Sequence, residues 1–166
     1  MHFSVEHTIR IPFEAYFEIV LSDEFNSWVK KRLKQDAREV VRNEEKDGVL
    51  YRTVRSERNL SEKAQKFLKV PVLVIEERQE IHRAQGTYTW SFVPNAGKKR
   101  FSVQGEGRIE PAGEYLKRHV SGDVQVKIPI IGKRIEKRMV EGVRNNITKI
   151  GDALEDYYRK QQQDAS

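Results

Sequence analysis

The chain has 166 residues, 37% of them hydrophobic and none of them cysteine, and a formal net charge of +6. A chain of this length suits one domain that buries roughly two-thirds of its unfolded surface without a metal or disulfide staple. The missing cysteines exclude disulfides, thiol catalysis and cysteine-ligated zinc or iron–sulfur centres. The N-terminus has no basic region leading into an apolar stretch, and no apolar run approaches the roughly 20 residues of a spanning helix. The expectation is a soluble, cytoplasmic protein.

In chain order, Phe3, Val5, His7 and Ile9 alternate with polar residues, which predicts a half-buried strand. Pro12 suits the first turn of a helix, whose apolar stripe is Phe13, Phe17 and Val20. Ser22 can cap a second short helix, with Asp23 and Glu24 in its first turn and Phe25, Trp28, Val29 and Leu33 at helical spacing. Strands are predicted at 36–45 and 49–58, joined at Lys46-Asp47-Gly48. The second of these is ambiguous in register, and one choice turns Tyr51, Thr53, Arg55 and Glu57 inward. Leu60, Ala64, Phe67 and Leu68, among Lys63, Lys66 and Lys69, predict a short amphipathic helix or lid over 60–71. Strands at 72–82, 87–93, 100–110 and 115–128 follow. Pro129 ends the last strand, Gly132 is read as allowing a sharp turn, and Ile135, Met139, Val143, Ile147, Ile150 and Leu154 recur as one face of a helix of about eight turns. The predicted domain is 1–160, with a frayed polar end at 161–166.

A strand, two short helices, six antiparallel strands and a long helix make an α+β fold. The apolar side of the long helix needs a partner of its own length, and the sheet of about seven strands is the candidate. The stretches "FSVEHTIRIPFEAYF" (3–17) and "SGDVQVKIPIIGKRIEK" (121–137) resemble the START-like, birch-pollen-allergen-like superfamily, and within it a bacterial family of unknown function. That resemblance implies a helix-grip fold, a curled antiparallel sheet wrapped around the C-terminal helix. It also implies a cavity between sheet and helix, of the kind that holds apolar molecules.

The residues expected to line such a cavity are His7, Tyr88, Trp90, Phe92, Val103, Gly105, Val124, Met139, Val143 and Ile147. Alternatives stay open at several of them. Gly105, Gly107 and Gly122 either leave room for a ligand or mark a bend in a curled sheet. Tyr88, Trp90 and Phe92 either line a pocket or fill ordinary core. His7 is a satisfied buried histidine or a general base.

Between Trp28 and Arg42 six basic residues face two acids. Trp28, Lys30, Lys31, Arg32 and Lys34, together with Phe67 and Leu68, form a candidate surface for anionic membrane or phosphate. The histidines fall in no metal spacing, and no nucleophile elbow, Walker loop or dinucleotide fingerprint occurs. No cofactor and no catalytic residue is therefore expected. The leading expectation is a non-enzymatic carrier of an apolar, lipid-like small molecule, with contact to an anionic membrane. A cyclase- or aromatase-like enzyme using the same cavity, and an RNA- or ribosome-binding module through the basic 28–42 surface, are the alternatives. Binding to nucleic acid is the least favoured.

Overall fold

The computed structural model describes residues 1–166. Seven strands form one antiparallel sheet in the order β1-β7-β6-β5-β4-β3-β2. They are β1 (His2–Ile9), β2 (Ala37–Lys46), β3 (Val49–Asn59), β4 (Val72–His82), β5 (Thr87–Pro94), β6 (Phe101–Ala112) and β7 (Tyr115–Val126). Two short helices, α1 (Ala15–Val20) and α2 (Asp23–Arg32), follow β1, and α3 (Glu62–Leu68) interrupts the meander between β3 and β4. The long helix α4 (Gly132–Asp164) has 33 residues, roughly nine turns. The fold is the α+β helix-grip arrangement.

Local chemistry explains the elements. The Ser22 hydroxyl caps α2 by accepting from the Phe25 amide at 3.2 Å, and Asp23 and Glu24 occupy the first turn. β2 and β3 are joined by Asp47 and Gly48, both at positive φ (53° and 78°), as a tight hairpin turn of matching twist requires. The register of β3 is settled by its neighbours. Leu50, Val54 and Ser56 pair with Val40, Arg38, Ile75, Glu77 and Ile81 across β2 and β4, and Leu50 and Val54 are buried. Arg55 and Glu57 therefore face outward, and the inward polar residues of β3 are Arg52 and Ser56.

Two positions in the last connection differ from the sequence reading. β7 ends at Val126 rather than at 128, and α4 continues through 161–164. The positive φ at the turn belongs to Ile130 (70°), not to Gly132. Gly132 is needed for a different reason: a Cβ there would lie 2.6 Å from the Val126 carbonyl oxygen.

The space between sheet and α4 is filled at both ends. One cluster, with Ile9, Tyr16, Phe25, Leu116 and Leu154 among its members, joins α1, α2 and the C-terminal half of α4 to the sheet. The second, built on Phe3, Trp90, Val103, Val124 and Val140, packs under the N-terminal half of α4. Burial of such side chains is worth about 1.5–3 kcal/mol each.

Candidate functional site

Between the two clusters lies a cavity of about 190 Å³. Its apolar wall is Phe17, Val29, Ile75, Phe92, Val143 and Ile147, with Tyr88 and Trp90 across the floor. Ser56 and Ile75, paired across β3 and β4, lie three residues from the ends of those strands, so the cavity reaches toward the end that carries α3. A larger hollow of about 890 Å³ lies on the opposite, outer face of the sheet. Some of its charged side chains pair with one another or with neighbours, Arg78 with Glu76 at 2.9 Å and Arg42 with Glu44 at 3.0 Å. The inner cavity is the less open and the more apolar of the two, which is the character of a small-molecule site.

The residues expected to line a cavity separate into two groups. Tyr88, Trp90, Phe92, Val143 and Ile147 lie on its wall. Val103 and Val124 are packed into the second cluster, with Met139 against it, because β6, β7 and the first half of α4 close there. Gly105 answers its open question in a third way. A Cβ on Gly105 would meet the Ser121 carbonyl oxygen at 2.1 Å and the Trp90 ring at 2.5 Å, and one on Gly107 would meet the Tyr88 ring at 2.0 Å. These glycines make room for the protein's own aromatic rings, and at Gly105 for the neighbouring strand as well, rather than directly for a ligand.

His7 stands beside Arg118, whose Nε donates to His7 Nε2 at 2.9 Å. Burial, reinforced by the Arg118 charge, pulls the His7 pKa down to about 4. The ring is neutral near pH 7 and its Nε2 already accepts a hydrogen bond from Arg118, the state of a partnered histidine rather than of a free base.

Sequence reasoning missed the polar lining: Arg38, Arg52, Glu77, Gln79 and Arg118. Arg52 and Arg118 are each only 4% exposed. Arg118 also donates through Nη2 to the Ile147 carbonyl at 2.7 Å and through Nη1 to the Tyr16 hydroxyl at 3.5 Å. Arg38 donates to Asn26 Oδ1 at 2.7 Å, and Arg52 to Gln79 Oε1 at 3.3 Å. The signal was present as charge in an apolar register: Arg118 between Leu116 and Val120, and Glu77 and Gln79 between Ile75 and Ile81. Burial pushes the Tyr88 phenol well above its ordinary value, and the neighbouring Tyr16 adds to the effect.

The proposed contact surface is rearranged. Trp28 is not a free surface residue; it packs edge-on against Tyr157 with Lys160 over its face. Arg32 pairs with Asp156. Lys31 and Lys34 are exposed and Lys30 is half-buried. Phe67 is 49% exposed, and Leu68 is half-buried on α3, a helix with no buried residue. Arg38 turns inward to the cavity and Arg42 pairs with Glu44, which disperses the basic run on which a nucleic-acid surface would rest.

A family model described as a protein of unknown function, DUF2505, matches residues 4–157. The chain belongs to the DUF2505 family. No curated protein matches it. Among solved structures, this DUF2505 chain is similar to the Zhui aromatase/cyclase from Streptomyces, at 14% identity and a TM-score of 0.67, covering 97% of this chain and 94% of that one. It is similar to Ara h 8.0201 at 16% identity and a TM-score of 0.67, over 95% and 96% of the two chains. It is also similar to a START superfamily protein from Mycobacterium smegmatis at 16% identity and a TM-score of 0.62, over 96% and 98%. At such identities these are likenesses of fold, and they agree with the START-like resemblance read from residues 3–17 and 121–137. No helix is long and apolar enough to cross a membrane.

Proposed function

We propose that the protein binds an apolar, lipid-like small molecule in the cavity between sheet and α4 and exchanges it at an anionic membrane surface. The observation that carries the first half is the cavity itself, an apolar void left between two well-packed clusters. Native interiors are otherwise close-packed, and a largely apolar chamber with a few polar groups is the usual form of a small-molecule site. The cavity's volume of about 190 Å³, at about 30 Å³ per water-sized group, takes roughly six such groups, and because the cavity is partly open a short chain or a single ring can extend past them. Mass spectrometry of the purified protein, native and then after organic extraction, tests this reading. A stoichiometric co-purified apolar molecule is the expected result. A protein that arrives empty and takes up no short-chain amphiphile overturns it.

The second half rests on one end of the molecule. The register places the β3–β4 connection, the β5–β6 loop and the β7–α4 junction at the same end of the sheet. Exposed there are Phe67, Ile130 (103%) and Ile131 (42%). Around them stand Lys98, Lys99, Arg100, Lys127, Lys133, Arg134, Lys137 and Arg138, all exposed. Apolar side chains among cations suit an anionic bilayer. Cosedimentation with phosphatidylglycerol vesicles is expected, weakening with salt and falling in Ile130→Ser/Ile131→Ser. No binding at low salt would sink this half alone.

One observation favours a cyclase-like enzyme as a second reading. Tyr16, Tyr88 and Arg118 bring ionisable groups together at one wall of the cavity, where proton transfer to a bound chain is geometrically possible. Tyr88→Phe would then abolish turnover of a poly-β-ketone while leaving its binding intact.

A further inference from the structure

The cavity is apolar in its walls but not neutral in its charge. Three guanidiniums line it, Arg38, Arg52 and Arg118, against one carboxylate, Glu77. None of the three has a carboxylate oxygen within 4.0 Å, although ion pairs are frequent on the surface. Buried charge is costly unless it is paired, and arginine does not escape the cost by losing its proton.

The three are not equivalent. Arg118 spends Nε, Nη1 and Nη2 on His7, Tyr16 and the Ile147 carbonyl. It is held as part of the wall. Arg52, 4% exposed, has one hydrogen bond, from Nη1 to Gln79 at 3.3 Å. Its other N–H groups have no protein acceptor. Glu77, the one acid available, accepts from Gln79 Nε2 at 2.9 Å instead of pairing with an arginine. Arg38 reaches the same region, anchored by Asn26 and Gln35, and each of the two arginines feels the Glu77 charge at longer range. A guanidinium fork with free donors, in a chamber otherwise lined by Phe92, Val143 and Ile147, matches an amphiphile with a planar anionic head.

We infer that the ligand is an organic acid: its carboxylate is taken by Arg52 with Arg38 beside it, and its apolar body lies against α4. This rests on the reading of the cavity as a ligand site and adds the head group to it. No covalent step is involved, since the anion replaces water as the acceptor for donors that already exist.

Calorimetric titration of the full chain with octanoate and, separately, with 1-octanol tests it. Octanoate is expected to bind at least about tenfold more tightly than the alcohol. Arg52→Met is expected to remove that preference and leave the alcohol's affinity unchanged. Glu77→Gln, which removes the competing carboxylate without changing shape, is expected to strengthen octanoate binding by several-fold, and it keeps the inference testable if Arg52→Met fails to fold. Equal affinities, or a preference for the alcohol, would overturn the acid head and leave the apolar cavity site standing. Binding of neither compound would overturn both. An octanoate preference that survives Arg52→Met and ignores Glu77→Gln would place the anion elsewhere and overturn the assignment.

Discussion

At Gly105 and Gly107 a single missing methyl decides how the floor of the cavity is built. The rings of Trp90 and Tyr88 occupy the space where those Cβ atoms would stand. Replacing Gly107 with alanine must displace the Tyr88 ring, at a cost of about 1–3 kcal/mol, and chemical denaturation should read this as a lower midpoint. His7 gives a prediction of pH dependence. Its pKa is about 4 in the folded protein and about 6.5 in the unfolded chain. Between these values the unfolded chain binds more protons, so stability falls as the pH drops through that window and is fully present above it. The ring is half-buried, so solvent screening reduces the effect to about 1–2 kcal/mol. Urea midpoints measured from pH 7 to pH 4 should show this slope, and His7→Gln should flatten it. An unchanged slope in the variant would mean that other groups carry the acid sensitivity.

The β7–α4 junction departs from ordinary preferences several times within a few residues. Ile130 is β-branched at positive φ, a conformation that costs of order 1–3 kcal/mol. It is also fully exposed. α4 begins without a side-chain cap and without an acid in its first turn, and Lys133 and Arg134 stand where the helix dipole disfavours cations. Local conflicts that persist together tend to mark function. Ile130→Gly should therefore stabilise the fold by about 1 kcal/mol while weakening attachment to phosphatidylglycerol vesicles. A gain in thermal stability with undiminished vesicle binding would separate the strain from any membrane role. Elements of this kind were legible where a period was long or a cap was explicit, as in the Ser22 cap and the stripe from Ile135 to Leu154. The junction was legible as a junction. Its strain was not, because the sequence offers Gly132 as the residue free to turn, and only the closeness of Gly132 to Val126 explains why that glycine serves packing and leaves the positive φ to Ile130.

For the molecule as a whole, the sheet and α4 grip each other at two ends and leave a gap between. The order of strands and helices was readable because alternation and helical spacing are local. The polar lining was less so, because the register of β3 depends on pairings across β2 and β4, and because a charge in an apolar register, such as Arg118 between Leu116 and Val120, gains its meaning only once its strand is placed between β1 and β6. The same division sets the last prediction. At a tightly packed position such as Leu154, fully buried, truncation to alanine should cost about 2–5 kcal/mol. At the cavity wall the sign reverses. Val143→Phe adds bulk into a void of about 190 Å³, and filling an existing void commonly yields about 0.5–2 kcal/mol, a rise in Tm of roughly 2–4 °C per kcal/mol for a chain of this size. The substitution takes the space a ligand would need, so octanoate uptake should fall as stability rises. A variant that is more stable and still binds would show that the ligand sits outside this cavity. One that is less stable would show that the wall is already close-packed around Val143.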